Sequence, residues 1–297
     1  MTPPAIRIIR PSSRGGEDLL KDRILDLENH GFKVLPILES PPSPWPFTAG
    51  SISDRKSNLV SALFETESNI IMCARGGYGA SDLLPHLPWE ELRHQSHKWI
   101  VGFSDISAIH SAFWTQLKWP GIHGPMPGST LWGQSSQDDI QFLIELMLQR
   151  KDQSGSLEIS PLSDHKIGTK TEGWMFGGCL SVLVNLIGTP YFPKSLAGAF
   201  LFLEEINESP GKIMRMWNQL VQSKSTRGLK GIIWGRITEL GTHSEEDLKQ
   251  ELAKTNDVPV WSSNDFGHSS PNWSIIIGAQ AQLDPFTSRL NWHYSIE

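Results

Sequence analysis

Residues 100–110 read IVGFSDISAIH, and this stretch decides how the first half of the chain is interpreted. A wholly apolar run ends at residues 102–105, GFSD, and the apolar side chains of Ile106 and Ile109 then recur at helical spacing. The pattern predicts a buried strand, a tight turn and a helix. A strand that is apolar on both faces is typical of a parallel sheet with helices on both sides.

The same alternation of strand and helix patterns precedes this stretch. Short apolar runs occupy residues 6–9, 32–38 and 69–74, and residues 54–64 have helical periodicity. Repeated alternation predicts an α/β fold in which residues 1–150 form an N-terminal domain with an open, mostly parallel sheet flanked by helices. Functional side chains are expected directly after its strands, because ligands bind at the carboxyl ends of parallel strands.

The remainder of the chain predicts a second domain. Residues 151–171 are polar, mix Gly, Ser and Pro, and show no clear period, so they are interpreted as a linker. In residues 172–297 an apolar run at 200–203 leads into the two carboxylates Glu204 and Glu205, and further strand and helix patterns follow. This half is predicted to be a C-terminal mixed α/β domain.

Composition argues against several classes of function. With 38% hydrophobic and 20% charged residues over 297 positions, the chain is typical of a globular protein. Its 26 Lys and Arg against 32 Asp and Glu give a net charge of −6, which argues against nucleic acid or an anionic membrane as a partner. The two cysteines, Cys73 and Cys179, form no Cys-x-x-Cys, so neither a disulfide framework nor structural zinc is expected, and no metal or other cofactor is predicted.

Membrane and targeting patterns are not found in the sequence. No apolar stretch approaches the roughly 18 to 20 residues that a membrane-spanning helix needs. Residues 1–13 lack both the apolar core and the cleavage site of a secretory signal. A cytoplasmic location is therefore expected.

Ser104 is placed by the pattern on the turn between a strand and a helix. Such a turn pushes the hydroxyl out of the sheet and leaves the free N–H groups of the helix start, including that of Asp105, beside any oxyanion formed there. The match to Gly-x-Ser-x-Gly is incomplete, because Ile106 stands at the second glycine. A serine that only caps the helix is the alternative interpretation.

Residues 75–79, RGGYG, follow the strand predicted at 69–74. Glycine allows positive φ and close backbone approach, so this loop can turn N–H groups toward a phosphate or a transition-state oxyanion. The spacing matches neither the Gly-x-Gly-x-x-Gly fingerprint nor the P-loop, which makes a nucleotide-binding protein the weakest alternative function. A plain tight turn with Arg75 on the surface is the other interpretation of the loop.

A serine nucleophile needs a general base, and the base needs an acceptor that orients it. Among ten histidines, His268 is flanked by glycine and turn residues and is predicted on a loop, while His123 follows a predicted strand end and is expected to line the pocket. Glu204 and Glu205 are the acceptor candidates, because burying a carboxylate at the end of an apolar strand is costly without a partner. Three further histidines are interpreted as structural: His110 as packed in its helix, and His94 and His97 as part of a surface helix face.

Six motifs follow one another along the chain. They are ARGGYG at 74–79, VGFSDISA at 101–108, HGPM at 123–126, LIGTP at 186–190, LFLEEINE at 201–208, and GH at 267–268 followed by PN at 271–272. In order and spacing they resemble the serine LD-carboxypeptidases, a family that also contains the microcin C self-immunity peptidases. The chain departs from the family pattern at Cys179, where asparagine is usual, and at Ser269, where glycine is usual.

The resemblance implies a catalytic role for three side chains and two backbone groups. Ser104 resembles the nucleophile, His268 the general base and Glu204 its orienting partner. The backbone N–H groups of Gly77 and Asp105 resemble the family's oxyanion hole. The implied reaction is hydrolysis through an acyl-enzyme.

The resemblance also implies a substrate. It is a peptide that joins an L-centre to a terminal D-residue, typically the D-alanine of a murein tetrapeptide, and the implied role is peptidoglycan recycling. Substrate contacts are expected from Gly76, from His123, and from Arg75, which can meet a carboxylate as a bidentate donor or tie down its own loop. The family commonly forms homodimers, so a homodimer is expected.

Two rival functions stay open. The first is hydrolysis of a peptidyl-nucleotide of the microcin C type, which needs an aromatic side chain to stack on the nucleobase. Trp132 and Trp174 are the candidates for that stacking, although aromatic residues are more often core filler. The second rival is a non-catalytic module in which the glycine loop binds a peptide carboxylate and Ser104 only caps a helix.

Overall fold

The computed structural model describes residues 3–38, 40–41, 43, 45–148, 152–162, 169–255 and 257–295. Its strands are β1 (Ala5–Ile9), β2 (Lys33–Leu35), β3 (Ile70–Cys73), β4 (Trp99–Val101), β5 (Gly121–His123), β6 (Gln153–Glu158), β7 (Ser160–Pro161), β8 (Thr171–Cys179), β9 (Ala199–Ile206), β10 (Gly231–Thr238), β11 (Val260–Ser262), β12 (Ile275–Ile277), β13 (Gln280–Asp284) and β14 (Arg289–Tyr294). Its helices are α1 (Glu17–Asn29), α2 (Ile52–Phe64), α3 (Ala80–Leu83), α4 (Trp89–Leu92), α5 (Ser107–Leu117), α6 (Thr130–Gln134), α7 (Gln137–Leu148), α8 (Leu180–Asn185), α9 (Pro210–Gln222) and α10 (Glu245–Lys254). Short 3₁₀ turns cover Leu84–His86, Ser104–Ile106 and Lys224–Thr226.

The first sheet has six strands in the order β12-β5-β4-β3-β1-β2. Strands β1 to β5 run parallel to their neighbours, and β12 joins β5 antiparallel. Every residue of β1 and of β3 is buried, as expected for a parallel sheet covered on both faces. The open, mostly parallel N-terminal sheet predicted from the apolar runs is confirmed.

The second sheet has eight strands in the order β6-β14-β13-β8-β9-β10-β11-β7. Strands β8, β9, β10 and β11 run parallel, and the strands beyond them on both sides pair antiparallel. The sheet is therefore mixed, as predicted for the C-terminal half. Its central strand β9 carries Glu204 and Glu205 near its carboxyl end.

Residues 151–171 differ from the expected linker. Strands β6 and β7 come from this range and lie at opposite edges of the second sheet, while residues 151 and 163–168 lie outside the described residues. In β6 the side chains of Gln153 and Leu157 are buried and the serines between them are exposed or partly exposed. These serines give the stretch its polar, aperiodic composition, so only pairing with the distant β14 identifies it as a strand.

Helix α2 begins with a reciprocal capping arrangement. The Ser51 hydroxyl accepts a hydrogen bond from the backbone N–H of Asp54 at 3.1 Å, and the Asp54 carboxylate accepts one from the backbone N–H of Ser51 at 3.3 Å. The helix start is thereby fixed, and Arg55 is buried one residue further on. Among the described helices, none combines the length and apolar character needed to cross a lipid bilayer.

Candidate active site

Ser104 lies at the carboxyl end of β4, on the turn that leads into α5. Its φ of +62° falls in the left-handed region, which non-glycine residues seldom adopt, and such strain is concentrated at functional sites. Within the described residues the hydroxyl makes no hydrogen bond, and it caps neither the 3₁₀ turn nor α5. The residue is half-buried. The geometry is that of a strand-to-helix turn that presents a serine, rather than of a capping serine.

The loop of residues 75–79 packs directly against this turn. A Cβ added at Gly76 would lie 2.9 Å from Ser104 Cβ and 3.3 Å from the backbone nitrogen of Asp105. Gly77 and Gly79 have φ of +110° and +119°, conformations that other residues rarely adopt. In the described part of the chain, the N–H groups of Gly77 and Asp105 donate to no protein acceptor. Both groups can therefore donate to a ligand oxygen.

His268 and Glu204 form a hydrogen-bonded pair. The Nδ1 atom of His268 lies 2.5 Å from Glu204 Oε2, and the Glu204 side chain is fully buried. Burial alone would lower the pKa of the His268 imidazole, but the adjoining Glu204 carboxylate outweighs it, and the pKa lies above its ordinary value. In the neutral ring Nδ1 carries the proton and donates a hydrogen bond to the carboxylate, so Nε2 is free to accept a proton. This is the tautomer that a general base needs.

The ring of Phe103 connects the pair to the serine turn. Its centroid lies 4.8 Å from that of His268, and Phe103 directly precedes Ser104 in sequence. The serine turn after β4 and the His268–Glu204 pair therefore adjoin. Ser104 and His268 are not hydrogen-bonded to each other in this structure, a looseness common in hydrolases without substrate.

Glu205 has different partners from Glu204, because side chains alternate between the two faces of a strand. Its carboxylate accepts hydrogen bonds from the backbone N–H groups of Ser181 at 2.7 Å and Ile206 at 2.9 Å. Burial, followed by the charge of Glu204, raises the pKa of Glu205. Of the two acceptor candidates, Glu204, to which the family resemblance points, pairs with the histidine, and Glu205 holds the start of α8.

Cys179, one of the departures from the family pattern, is buried at the end of β8. Its thiol lies 3.5 Å from Glu205 Oε1, and its backbone N–H donates to the Ser107 hydroxyl at 3.0 Å. Burial, followed by the charges of Glu204 and Glu205, raises the pKa of the thiol well above its ordinary value. The thiol is therefore protonated and unreactive at neutral pH.

His123 does not line an accessible pocket, in contrast to the expectation from sequence. Its side chain is fully buried, with its ring centroid 5.9 Å from Phe103 and 5.3 Å from Phe202. Strand β12 covers β5 on the side opposite β4, which makes β5 an interior strand. Burial, followed by repulsion from His110 and His268, keeps the pKa of His123 well below its ordinary value, which favours the neutral ring.

The other two substrate-contact candidates have contrasting positions. Arg75 is exposed at the start of the glycine loop, and Gly76 is buried against Ser104. Arg75 is thus available to a ligand, while Gly76 admits the close approach of loop and turn.

The three histidines interpreted from sequence as structural are not part of the pair. His110 is buried in α5, as expected, and its Nε2 lies 2.9 Å from the carbonyl oxygen of Gly102, while burial lowers its pKa to about 4. His97 packs edge-on against Trp99 after α4 rather than on a helix face, and burial lowers its pKa to about 4. His94 is exposed and follows the end of α4. His110 therefore supports the end of β4 rather than acting on a ligand.

Sequence reasoning missed the residues that hold the His268 loop. The side chain of Asn272 accepts from the N–H of Gly267 at 3.3 Å, and the N–H of Asn272 donates to Asp139 Oδ2 at 3.1 Å. Asp139 also accepts from the N–H of Ser136 at the start of α7. The signals in sequence were the PN at 271–272 of the family motif and the Ser-x-x-Asp capping pattern at 136–139, and neither indicates a contact between these two distant segments.

No group of three or more His, Cys, Asp or Glu side chains in the described ranges is arranged to hold a metal ion. The groups that do converge are a serine on a strained turn, two backbone N–H donors and a His–Glu pair. This is the set that serine-type acyl hydrolases use to transfer an acyl group.

The chain belongs to the LD-carboxypeptidase family. The N-terminal domain model of that family matches residues 6–124 and the C-terminal domain model matches residues 172–283. The chain is 30% identical over 298 residues to the murein tetrapeptide carboxypeptidase of Pseudomonas aeruginosa, covering 97% of this chain and 94% of that protein. It is 21% identical to the microcin C7 self-immunity protein of Escherichia coli, covering 80% of this chain and 77% of that one.

The fold is also that of a solved relative. The crystal structure of a muramoyltetrapeptide carboxypeptidase from Oxalobacter formigenes superposes with a TM-score of 0.83 at 24% identity, covering 98% of this chain and 99% of that one. The superposition therefore includes both sheets described above.

Proposed function

We propose that this chain is a serine-type LD-carboxypeptidase that releases the terminal D-alanine of a murein tetrapeptide during peptidoglycan recycling. The observation that carries the proposal is the 2.5 Å contact between His268 and Glu204 beside the strained turn of Ser104. Membership of the LD-carboxypeptidase family supplies the reaction class.

The proposed reaction has two steps. Ser104 attacks the carbonyl carbon of the scissile amide while Nε2 of His268 takes the hydroxyl proton. The proton passes to the leaving nitrogen, the D-amino acid departs, and Ser104 keeps the acyl group. Water then attacks the ester with His268 again as base, which frees the shortened peptide and restores the serine.

Charge in this reaction is stabilised at two places. The N–H groups of Gly77 and Asp105 donate to the oxyanion of the tetrahedral intermediate. Glu204 fixes the tautomer of His268 and stabilises the imidazolium that forms. Arg75, exposed on the same loop as Gly77, binds the terminal carboxylate of the substrate.

We propose a murein peptide rather than a microcin-like conjugate as the substrate for a structural reason. The two tryptophans considered for stacking on a nucleobase have other contacts. Trp132 is 3% exposed, and the Trp174 ring packs against Trp114 with centroids 5.3 Å apart while its Nε1 donates to Ala197 O. The homodimer and the cytoplasmic location expected from sequence stay predictions.

The test is side-by-side turnover of two purified substrates. A murein tetrapeptide and a processed microcin C are incubated with the protein, and products are followed by mass spectrometry. The proposal expects loss of one D-alanine mass from the tetrapeptide at a higher kcat/KM than microcin cleavage. Faster microcin cleavage would favour the self-immunity function, and tight peptide binding without labelling by a fluorophosphonate would favour the binding module.

A further inference from the structure

Three segments of the first domain meet at the carboxylate of Asp105. Its Oδ2 atom accepts a hydrogen bond from the Ser12 hydroxyl at 2.5 Å and another from the backbone N–H of Ala80 at 2.9 Å. Ser12 lies in the loop after β1, and Ala80 is the first residue of α3, directly after the glycine loop. The side chain of Asp105 therefore joins the serine turn to both of its neighbouring loops.

Arg55 holds the same two loops from the other side. Its Nη1 donates to the carbonyl oxygens of Pro11 and Gly79, each at 2.6 Å. Its Nε donates to Gly50 O at 3.1 Å, and its Nη2 lies 3.2 Å from Asp82 Oδ2. Pro11 and Gly79 directly precede the two residues that donate to Asp105, so each loop is held at consecutive residues by an anion and a cation.

The sequence is adapted to this arrangement. Arg55 and Asp105 are buried, and burying a charge is costly unless its hydrogen bonds are made. A Cβ at Gly79 would lie 2.6 Å from Arg55 Nη1, so a glycine is needed for the guanidinium to reach the backbone. The N–H of Ser13, next in sequence to Ser12, donates to Gly76 O at 3.3 Å, which extends the contact along the glycine loop.

We propose that Asp105, through its side chain, and Arg55 are positioning residues that fix the glycine loop relative to Ser104, so that the N–H groups of Gly77 and Asp105 point at one oxyanion. The inference rests on the proposed function. Neither side chain touches the reacting atoms. Both side chains act through the backbone N–H donors. Displacing such a donor by a fraction of the hydrogen-bond length removes most of the stabilisation that it gives to the transition state.

A buried cation at the opposite end of the sheet supplies a matched control. The Lys98 ammonium donates to the carbonyl oxygens of Ala62 at 2.7 Å and Glu65 at 2.5 Å, and thereby caps the end of α2. Lys98 precedes β4 and Asp105 follows it, so both border one strand, at its two ends. Loss of Lys98 removes stabilising bonds without touching the loops around Ser104.

The experiment compares Asp105→Ala, Asp105→Asn and Arg55→Met with Lys98→Met in the full-length protein. For each variant, kcat and KM on a murein tetrapeptide, the Ki of a peptide boronate and the melting temperature are measured. Asp105→Ala and Arg55→Met are expected to lower kcat about 10²- to 10³-fold, the effect of losing one oxyanion donor, and to weaken boronate binding in parallel. KM is expected to change by less than about threefold, because only transition-state binding is lost.

The conservative variant and the control separate positioning from stability. Asp105→Asn is expected to retain kcat within about tenfold, because the amide oxygen can still accept from Ser12 and Ala80. Lys98→Met is expected to lower the melting temperature and leave kcat unchanged. If Asp105→Ala does not fold, Ser12→Ala serves in its place, because it removes one of the two bonds and is expected to lower kcat about tenfold.

Two results would overturn the positioning role. One is a folded Asp105→Ala or Arg55→Met protein whose kcat and boronate affinity match the wild type. The other is a loss of kcat in Lys98→Met as large as in Asp105→Ala, which would make the effect one of stability alone. The rate of labelling by a fluorophosphonate tests the same arrangement without the peptide. If wild-type protein releases no D-alanine but is labelled at Ser104, slower labelling of Asp105→Ala still supports the positioning role while the proposed substrate fails.

Discussion

The Nδ1 atom of His268 lies 2.5 Å from Oε2 of Glu204, although the two residues are 64 positions apart in sequence. Glu204 comes from the central strand β9 of the second sheet, and His268 from the loop between β11 and β12. Since β12 belongs to the first sheet, the loop that carries His268 passes from one sheet to the other. The topology thus brings the pair to the carboxyl end of β4, where Ser104 lies.

Replacing Glu204 with Gln tests the pair directly. The amide keeps the shape of the side chain but can stabilise neither the imidazolium nor the required tautomer, so kcat is expected to fall about 10³- to 10⁴-fold. Steady-state kinetics on the tetrapeptide measures the effect. Glu205→Gln is the matched control from the adjacent position and is expected to keep kcat within about tenfold, since Glu205 contacts α8 and not His268. Equal losses in both variants would contradict the assignment.

The pH dependence of kcat/KM reports the same contact. A general base must be neutral, and the raised pKa of His268 keeps its proton to higher pH, so the acid limb of the wild-type profile is expected above the ordinary histidine value. Glu204→Gln removes the charge that raises this pKa and is expected to move the limb to lower pH in the residual activity. An unshifted limb would mean that another group sets the profile.

Gly76 is expected to tolerate no side chain. A methyl group there would lie 2.9 Å from Ser104 Cβ and would push the loop from the turn, so Gly76→Ala is expected to lower kcat about 100-fold or more. Gly211→Ala is the control, because its nearest neighbour, the flexible Arg215 side chain, lies 4.0 Å away. Kinetics and thermal melts of both variants provide the comparison. Wild-type kcat in Gly76→Ala would show that the loop and the turn can separate without loss.

A stability prediction concerns the ion pair between Arg7 of β1 and Glu65, the residue that follows α2. Burial raises the pKa of Glu65, but hydrogen bonds from Arg7 and Ser68 outweigh it, and the pKa is lowered. The ionised Glu65 carboxylate therefore stabilises the fold at pH values above its pKa in the unfolded chain. This stabilisation is lost as the pH falls through the lower pKa of Glu65 in the folded protein. Glu65→Gln is expected to cost about 1.5 to 3 kcal/mol of unfolding free energy at pH 7, the value of hydrogen bonds to a charged group, and less at low pH.

The control for this prediction is an exposed ion pair. Arg289 and Glu158 lie 2.9 Å apart with largely exposed side chains, so Glu158→Gln is expected to change stability by less than about 1 kcal/mol. Urea denaturation of both variants at neutral and acid pH measures the difference. An effect of Glu65→Gln that does not depend on pH would contradict the role of its charge.

Local patterns in the sequence predicted the parts of the site that depend on neighbours in the chain. The strand and turn around Ser104 and the loop at 75–79 follow from apolar runs broken by glycine, which are local signals. The burial of His123 and the strand β6 could not be predicted from local patterns, because each depends on pairing with a strand distant in sequence. The residue pattern alone left the choice between Glu204 and Glu205 open for the same reason, and only the family resemblance pointed to Glu204. The packing of β9 determines which of the two side chains faces the histidine.

The most direct test is the rate of D-alanine release by purified Ser104→Ala protein relative to wild type, measured by mass spectrometry of the tetrapeptide. A serine that forms the acyl-enzyme cannot be replaced, so the rate is expected to fall by about 10⁴- to 10⁶-fold with folding and peptide binding retained. Release within tenfold of the wild-type rate would contradict the account, because hydrolysis would then not pass through this hydroxyl.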